Sequence, residues 1–261
     1  MGLGDQLIGT GLAKGAKARG KRIAFGDGKK IIWDHHSEQV FRGNPNIAPP
    51  GSENDPDIEW IPFYRGNRIY NRQGDGRWIW YREFKVRPGE IYLTDDEKAW
   101  AAKQGSGFIV IEPNVPEFKT VSPNKQWPTR RYDKVAKLLL KSGYDVVQFV
   151  FKSGHVIPGV RQIKTPSFRH AVAALARAAL YIGPEGGLHH ASAAVGIPAV
   201  VLFGGFIPPR ITGYDTHTNL TGGATACGSL HACAHCKAAM ETIEVPEVMG
   251  AARAYLEKVT A

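Results

Sequence analysis

The segment from Ala179 to Gly205 constrains the fold most. Ala179-Leu-Tyr-Ile182 reads as a buried strand, Gly183-Pro-Glu-Gly-Gly187 as a glycine-rich turn, Leu188 to Val195 as a helix, and Ala199-Val-Val-Leu-Phe203 as a strand entering a Gly-Gly turn. Two apolar strands joined by one short helix form a parallel βαβ unit, because a parallel pair needs a crossover that a hairpin cannot supply. The pattern repeats upstream. Phe108-Ile-Val-Ile111 is a short buried strand, and Tyr132, Val135, Ala136, Leu139 and Leu140 fall at helical spacing up to Lys141. Gly143 ends that helix, Asp145 to Phe151 reads as the next strand, and Phe168 to Ala178 as an alanine-rich helix. The spacing predicts an α/β fold with a parallel sheet covered by helices on both faces.

The first half is less regular. Gln6 to Arg19 reads as a helix despite its glycines, Arg22-Ile-Ala-Phe25 as a strand, and Asn44 to Gly51 as a turn-rich break. From Ile58 to Phe84 the chain holds eight aromatic residues and five arginines against three acidic residues. With 261 residues, 43% of them hydrophobic, the chain exceeds what one core usually serves, so two domains are expected: 1–105 and 106–261, divided near Lys103-Gln-Gly-Ser-Gly107. The net charge is +9, and residues 106–261 carry 16 basic against 10 acidic side chains. That surplus favours anionic partners, whether nucleic acid, phospholipid headgroups or phosphorylated small molecules. No stretch has the ~18 uninterrupted apolar residues of a membrane span, and Met1 to Asp5 lacks a signal-peptide layout, so a cytoplasmic protein is expected.

Several residues carry chemistry in more than one reading. A glycine turn entering a helix leaves the N–H groups of Gly186 and Gly187 free to hold phosphate. Glu185 there suits ribose hydroxyls and His190 a phosphate oxygen; alternatively, Glu185 complements the helix dipole and His190 is a core histidine. Lys125 lies in the basic cluster Lys119, Lys125, Arg130, Arg131, which draws in a diphosphate or simply faces water. Asn114, past the Phe108 strand, falls where open α/β sheets line their ligand crevices. Asp5 is a helix-capping residue or a general base. Asp55-Pro56-Asp57 reads as turn chemistry. The cluster Cys227, His231, Cys233, His235, Cys236 has zinc-type ligands but no standard finger spacing, and reads as a structural feature.

The run Gly-Pro-Glu-Gly-Gly-Leu-His-His-Ala-Ser-Ala-Ala followed by Gly-Ile-Pro-Ala-Val-Val-Leu-Phe-Gly resembles the donor-site motif of glycosyltransferase family nine, which includes lipopolysaccharide heptosyltransferases. Asn124-Lys-Gln-Trp-Pro128 resembles its Lys-x-Trp-Pro element, Gly2-Leu-Gly-Asp5 its N-terminal Gly-Asp loop, and Cys227 to Val248 its cysteine-containing tail. The resemblance implies the GT-B arrangement, two Rossmann-like domains facing a cleft. It also implies inverting, metal-independent transfer of a sugar from a nucleotide-diphosphate donor, with no cofactor. It assigns Asp5 as the base, and Lys125, Glu185, Gly186, Gly187 and His190 as donor-binding residues; Asn114 joins them as a candidate by its place past the Phe108 strand. The acceptor it implies is a hydroxyl of a lipopolysaccharide or another anionic surface glycan, reached from the cytoplasm with peripheral contact at the inner membrane face. In the family the Gly-Asp loop follows a first β-strand; here only Met1 precedes it, and a reduced N-terminal domain is expected. The Arg-aromatic stretch 58–84 reads first as an irregular β-rich core with arginines at its rim and next as a surface for an anionic acceptor; a second function class stays open, in which this stretch and a zinc-binding tail contact nucleic acid, or the chain is a glycosyltransferase acting on modified DNA bases.

Overall fold

The structure is a computed structural model that describes residues 1–115, 120–150 and 154–259. The first half contains α1 (Leu3–Thr10), α2 (Ala13–Ala18), β1 (Arg22–Phe25), α3 (His35–Phe41), β2 (Ile58–Ile61), β3 (Asn71–Gly74), β4 (Arg77–Trp80) and α4 (Asp95–Ala102). The single helix expected over 6–19 is broken into α1 and α2. Gly11 and Leu12 keep helical backbone angles, but their N–H groups bond three residues back, to Ile8 and Gly9, which interrupts the α-helical ladder; the Arg87 carbonyl passes so close, 2.6 Å from where a Cβ would lie, that only glycine fits at 11. β1 and β2 pair in parallel, Arg22 with Ile58 through Phe25 with Ile61, and Ile47 bridges Ile23 from the other side. Asp55 and Asp57 pair with Arg22 (both 2.6 Å), which fits the turn reading. β3 and β4 form an antiparallel hairpin.

The second half contains β5 (Ile109–Ile111), α5 (Thr129–Lys141), β6 (Val146–Phe149), β7 (Arg161–Ile163), α6 (Phe168–Leu175), β8 (Leu180–Pro184), α7 (Gly187–Ala194), β9 (Ala199–Leu202), α8 (Pro209–Thr212), β10 (Thr218–Leu220), α9 (Ala234–Thr242) and α10 (Val245–Val259). A 3₁₀ turn, Ser122–Lys125, precedes α5. All six strands run parallel in the order β10-β9-β8-β5-β6-β7. The parallel α/β fold expected from the periodicity is present. Phe151 and Lys119 lie outside the described residues. No helix among the described residues is long and apolar enough to cross a membrane.

One apolar core runs from the first half into the second, joining Leu7, Phe25 and Phe41 to Val172, Tyr181 and Ala191. A buried ion pair reinforces it. Arg169 of α6 donates to both oxygens of Glu97 on α4 (2.6 and 2.9 Å) and to the carbonyls of Gln39 and Tyr92. Burial opposes the Glu97 charge, yet Arg169 and the Thr94 N–H hold its carboxyl below the usual range.

Two other buried groups give the fold opposing pH slopes. Burial pushes Glu112, just past β5, up to about 7, and lowers His217 to about 4. Between pH 4.5 and 7 the folded chain holds a proton on Glu112 that the unfolded chain has released, so that contribution falls as pH rises. Between pH 4 and 6.5 unfolded His217 is protonated and folded His217 is not, so its contribution rises with pH. Glu112→Gln keeps an acceptor for the Asn114 N–H (2.8 Å) and removes one slope. Urea denaturation of this variant should show stability rising more steeply from pH 4.5 to 6.5 than in the unsubstituted chain. Parallel profiles would exclude a protonated Glu112.

Candidate active site

The site forms where two helix N-termini meet. β8 delivers the turn Glu185-Gly186 into α7, and α1 packs its first turn against that of α7. Gly4 permits the approach: a Cβ there would lie 2.9 Å from the His190 ring and 3.4 Å from the backbone of Gly186 and Gly187. Each helix brings a carboxylate to its positive end, Asp5 in the first turn of α1 and Glu185 just before α7, a favourable placement for both.

Asp5 is nearly enclosed. Its Oδ2 accepts from the Gly2 N–H (2.8 Å), and its Oδ1 accepts from Arg68 Nε (3.1 Å) and from the Tyr70 hydroxyl. It is thus a capping residue and also the centre of a polar cluster. Burial, with the Asp5 charge beside it, keeps the Tyr70 phenol well above its ordinary pKa, so Tyr70 acts as a donor. Burial works against the Arg68 charge, but the Asp5 carboxylate more than offsets it and raises that pKa.

Across the site, Glu185 Oε2 is paired with Lys125 Nζ, and Glu185 Oε1 lies 3.1 Å from His190 Nε2. Burial opposes the Glu185 charge, yet Lys125 and His190 hold the carboxyl well below the usual carboxylate range. His190 Nδ1 meets the Tyr214 hydroxyl at 2.9 Å, which fixes the ring. An aromatic bridge spans the two groups. The Arg68 guanidinium lies 4.5 Å above Trp78, Tyr70 is parallel to Trp80 at 6.5 Å, Trp80 points its edge at Phe206 (6.2 Å), and Lys125 lies 5.3 Å over Phe206. Cation and ring are mutually attractive in this arrangement.

The structure therefore brings together Asp5, Lys125, Glu185, Gly186, Gly187 and His190. Glu185 was expected toward ribose; both of its oxygens are occupied by Lys125 and His190. Asn114 is engaged elsewhere, bonding the backbone of His155 (2.8 and 3.1 Å) and lining a hollow of about 340 Å³ with Gln126 and Thr129. Arg131 donates to the carbonyls of Glu241 and Ile243 and to the Glu244 carboxylate, which fastens α5 to the tail. Arg68, Tyr70, Phe206 and Tyr214 have no spacing signal that singles them out; they reach the site through tertiary contacts. His189, next to His190, is fully buried, its ring meeting those of Phe203, Tyr214 and His217 edge-on, and burial keeps it neutral.

Known proteins share this architecture. E. coli ADP-heptose LPS heptosyltransferase II superposes with a TM-score of 0.50 at 22% identity, over 66% of this chain and 55% of that one. A family 9 glycosyl transferase from Veillonella parvula superposes with a TM-score of 0.49 at 18% identity, over 67% and 55% of the two chains. The chain thus spans about half the length of these structures. No curated protein sequence matches it. The sequence model of glycosyltransferase family 9 (heptosyltransferase) matches residues 88–242. That match takes in the 3₁₀ turn of Lys125, the glycine turn, α7 and the cysteine tail. With more than half of its length, and the whole six-stranded sheet together with the turn and helix that carry Glu185 and His190, inside the match, this chain is a member of glycosyltransferase family 9.

Proposed function

We propose that the chain transfers a sugar, with inversion, from a nucleoside-diphosphate donor to a hydroxyl of an anionic surface glycan. The observation that carries this reading is the meeting of Asp5 with the Lys125–Glu185–His190 group at two abutting helix N-termini. The acceptor oxygen attacks the anomeric carbon and passes its proton to Asp5. The bond between that carbon and the diphosphate oxygen breaks, and the leaving diphosphate takes the electron pair. Lys125, His190 and the Gly186 and Gly187 N–H groups stabilise the new charge without a metal ion. Glu185 holds Lys125 and His190 until the diphosphate competes for them.

The likeness to an ADP-heptose LPS heptosyltransferase supports an ADP-sugar as the first donor to try. A glycan anchored in the membrane would bring the protein to the inner membrane face from the cytoplasm. Arg68 and Tyr70 of the Arg-aromatic stretch turn onto Asp5, which favours the acceptor side of this reaction over nucleic-acid binding.

Calorimetry with ADP, UDP, GDP and their sugars, followed by product analysis, tests the reading; binding of none of them overturns it. His190→Ala should weaken binding of the diphosphate by about 1.5–3 kcal/mol, the worth of a hydrogen bond to a charged group. An unchanged affinity would remove His190 from the donor site.

A further inference from the structure

The thiols of Cys227, Cys233 and Cys236 converge. Cys227 Sγ lies 3.3 Å from Cys236 Sγ and 3.9 Å from Cys233 Sγ, and all three fall within 4.8 Å of one another. A disulfide would bring two of them to about 2.05 Å. Sulfurs on a tetrahedral zinc, at a Zn–S distance of about 2.3 Å, are about 3.8 Å apart, and the observed spacings straddle that value. Three free thiols at this separation are a ligand set.

Cys233 is the N-cap residue of α9 and Cys236 lies in its first turn, at the positive end of a nine-residue helix. The Ser229 N–H points at Cys227 Sγ from 3.4 Å, the kind of outer contact that steadies a metal-bound sulfur. Cys236 is buried and the other two are half-buried, so a bound cation would be shielded but reachable. The imidazole nearest in sequence, His235, is engaged with the Thr225 carbonyl (2.8 Å), which leaves a fourth position for an exchangeable ligand.

The loop that carries these thiols is stitched to three parts of the active site. The Cys227 N–H donates to the Gly205 carbonyl and the Gly228 N–H to Phe206 (2.9 and 3.1 Å). Trp78 of β4 donates to Gly228 (2.7 Å), and Asn124, beside Lys125, links the Cys233 N–H to the His231 carbonyl. We propose that Cys227, Cys233 and Cys236 bind one thiophilic divalent cation, zinc or ferrous iron, and that this cation clamps the Lys125 turn and the β4 hairpin onto the Phe206 turn. Binding displaces the thiol protons to solvent. The proposal is independent of the donor and of the reaction.

The full chain, purified under reducing, anaerobic conditions, should contain about one equivalent of zinc or iron by elemental analysis. After chelation it should take up one equivalent of cobalt(II), with the near-ultraviolet band of thiolate-to-cobalt charge transfer, and lose that band when zinc is added. Cys236→Ser and, separately, the half-buried Cys227→Ser should abolish the band while far-ultraviolet circular dichroism of at least one variant stays native. Cobalt uptake without the thiolate band, uptake unchanged in both variants, or no uptake at all would overturn the proposal. So would an intact disulfide among these cysteines in protein prepared under the same reducing conditions.

Discussion

Asp5→Asn should slow sugar transfer by about 100- to 10,000-fold, the usual contribution of a positioned general base, and leave the affinity for the nucleoside diphosphate unchanged. Asparagine preserves the shape of the side chain. Its oxygen can still accept from Arg68 and Tyr70, but its amide then faces the Gly2 N–H, donor against donor, where the carboxylate had accepted. Loss of that capping bond costs α1 about 1 kcal/mol, and loss of the charge opposite Arg68, which is 18% exposed, costs more, so native circular dichroism of the variant is the first check. What the variant lacks is an atom able to take the acceptor proton. Single-turnover transfer from the donor that calorimetry identifies, with diphosphate binding measured in parallel, separates the two effects. A rate within tenfold of the unsubstituted chain would assign the proton to another group. Weaker diphosphate binding would place Asp5 on the donor instead.

Arg169→Met should destabilise the fold by about 3–5 kcal/mol, the cost of leaving a buried charge without its partner. Arg169 and Glu97 are 2% and 6% exposed, so water cannot replace the lost partner. Among the described residues, the remaining cation paired with Glu97 is Arg42, at 3.6 Å and 55% exposed, which screens rather than buries the charge. The same change orphans the Gln39 and Tyr92 carbonyls. Glu97→Met in addition should return a large part of the loss, because an apolar pair of similar volume carries no unpaired charge. Urea denaturation of the single and double variants measures both. A loss below about 1 kcal/mol in Arg169→Met would mean that Glu97 picks up its proton at little cost. Since this pair joins α4 to α6, it also reports how tightly the first half is held against the sheet.

Much of the second half is legible in the order of residues. Its helices and strands follow from apolar spacing, and the observed bounds of α5, α7 and β9 depart from that spacing by a few residues at most. The turn before α7 is legible too, because glycines punctuate the junction of an apolar strand and a helix, although β8 runs on through Gly183 and Pro184 and leaves the turn to Glu185 and Gly186. The break between α1 and α2 is not, nor is the close pass of the Arg87 carbonyl, far along the chain, at Gly11. The partner of Lys125 is also non-local, since Glu185 lies 60 positions away.

The sequence by itself determined the parallel sheet, the glycine turn into α7 and the residue types available for chemistry, because periodicity and turn residues act over a few neighbouring positions. Only the tertiary structure decided that the first turns of α1 and α7 abut at Gly4, that Arg68 and Tyr70 fold back onto Asp5, and that three thiols converge. Those pairings depend on which helix ends and loops pack together. That is settled by burial of the common core and by the absence of a Cβ at Gly4, neither of which leaves a periodic trace in the chain.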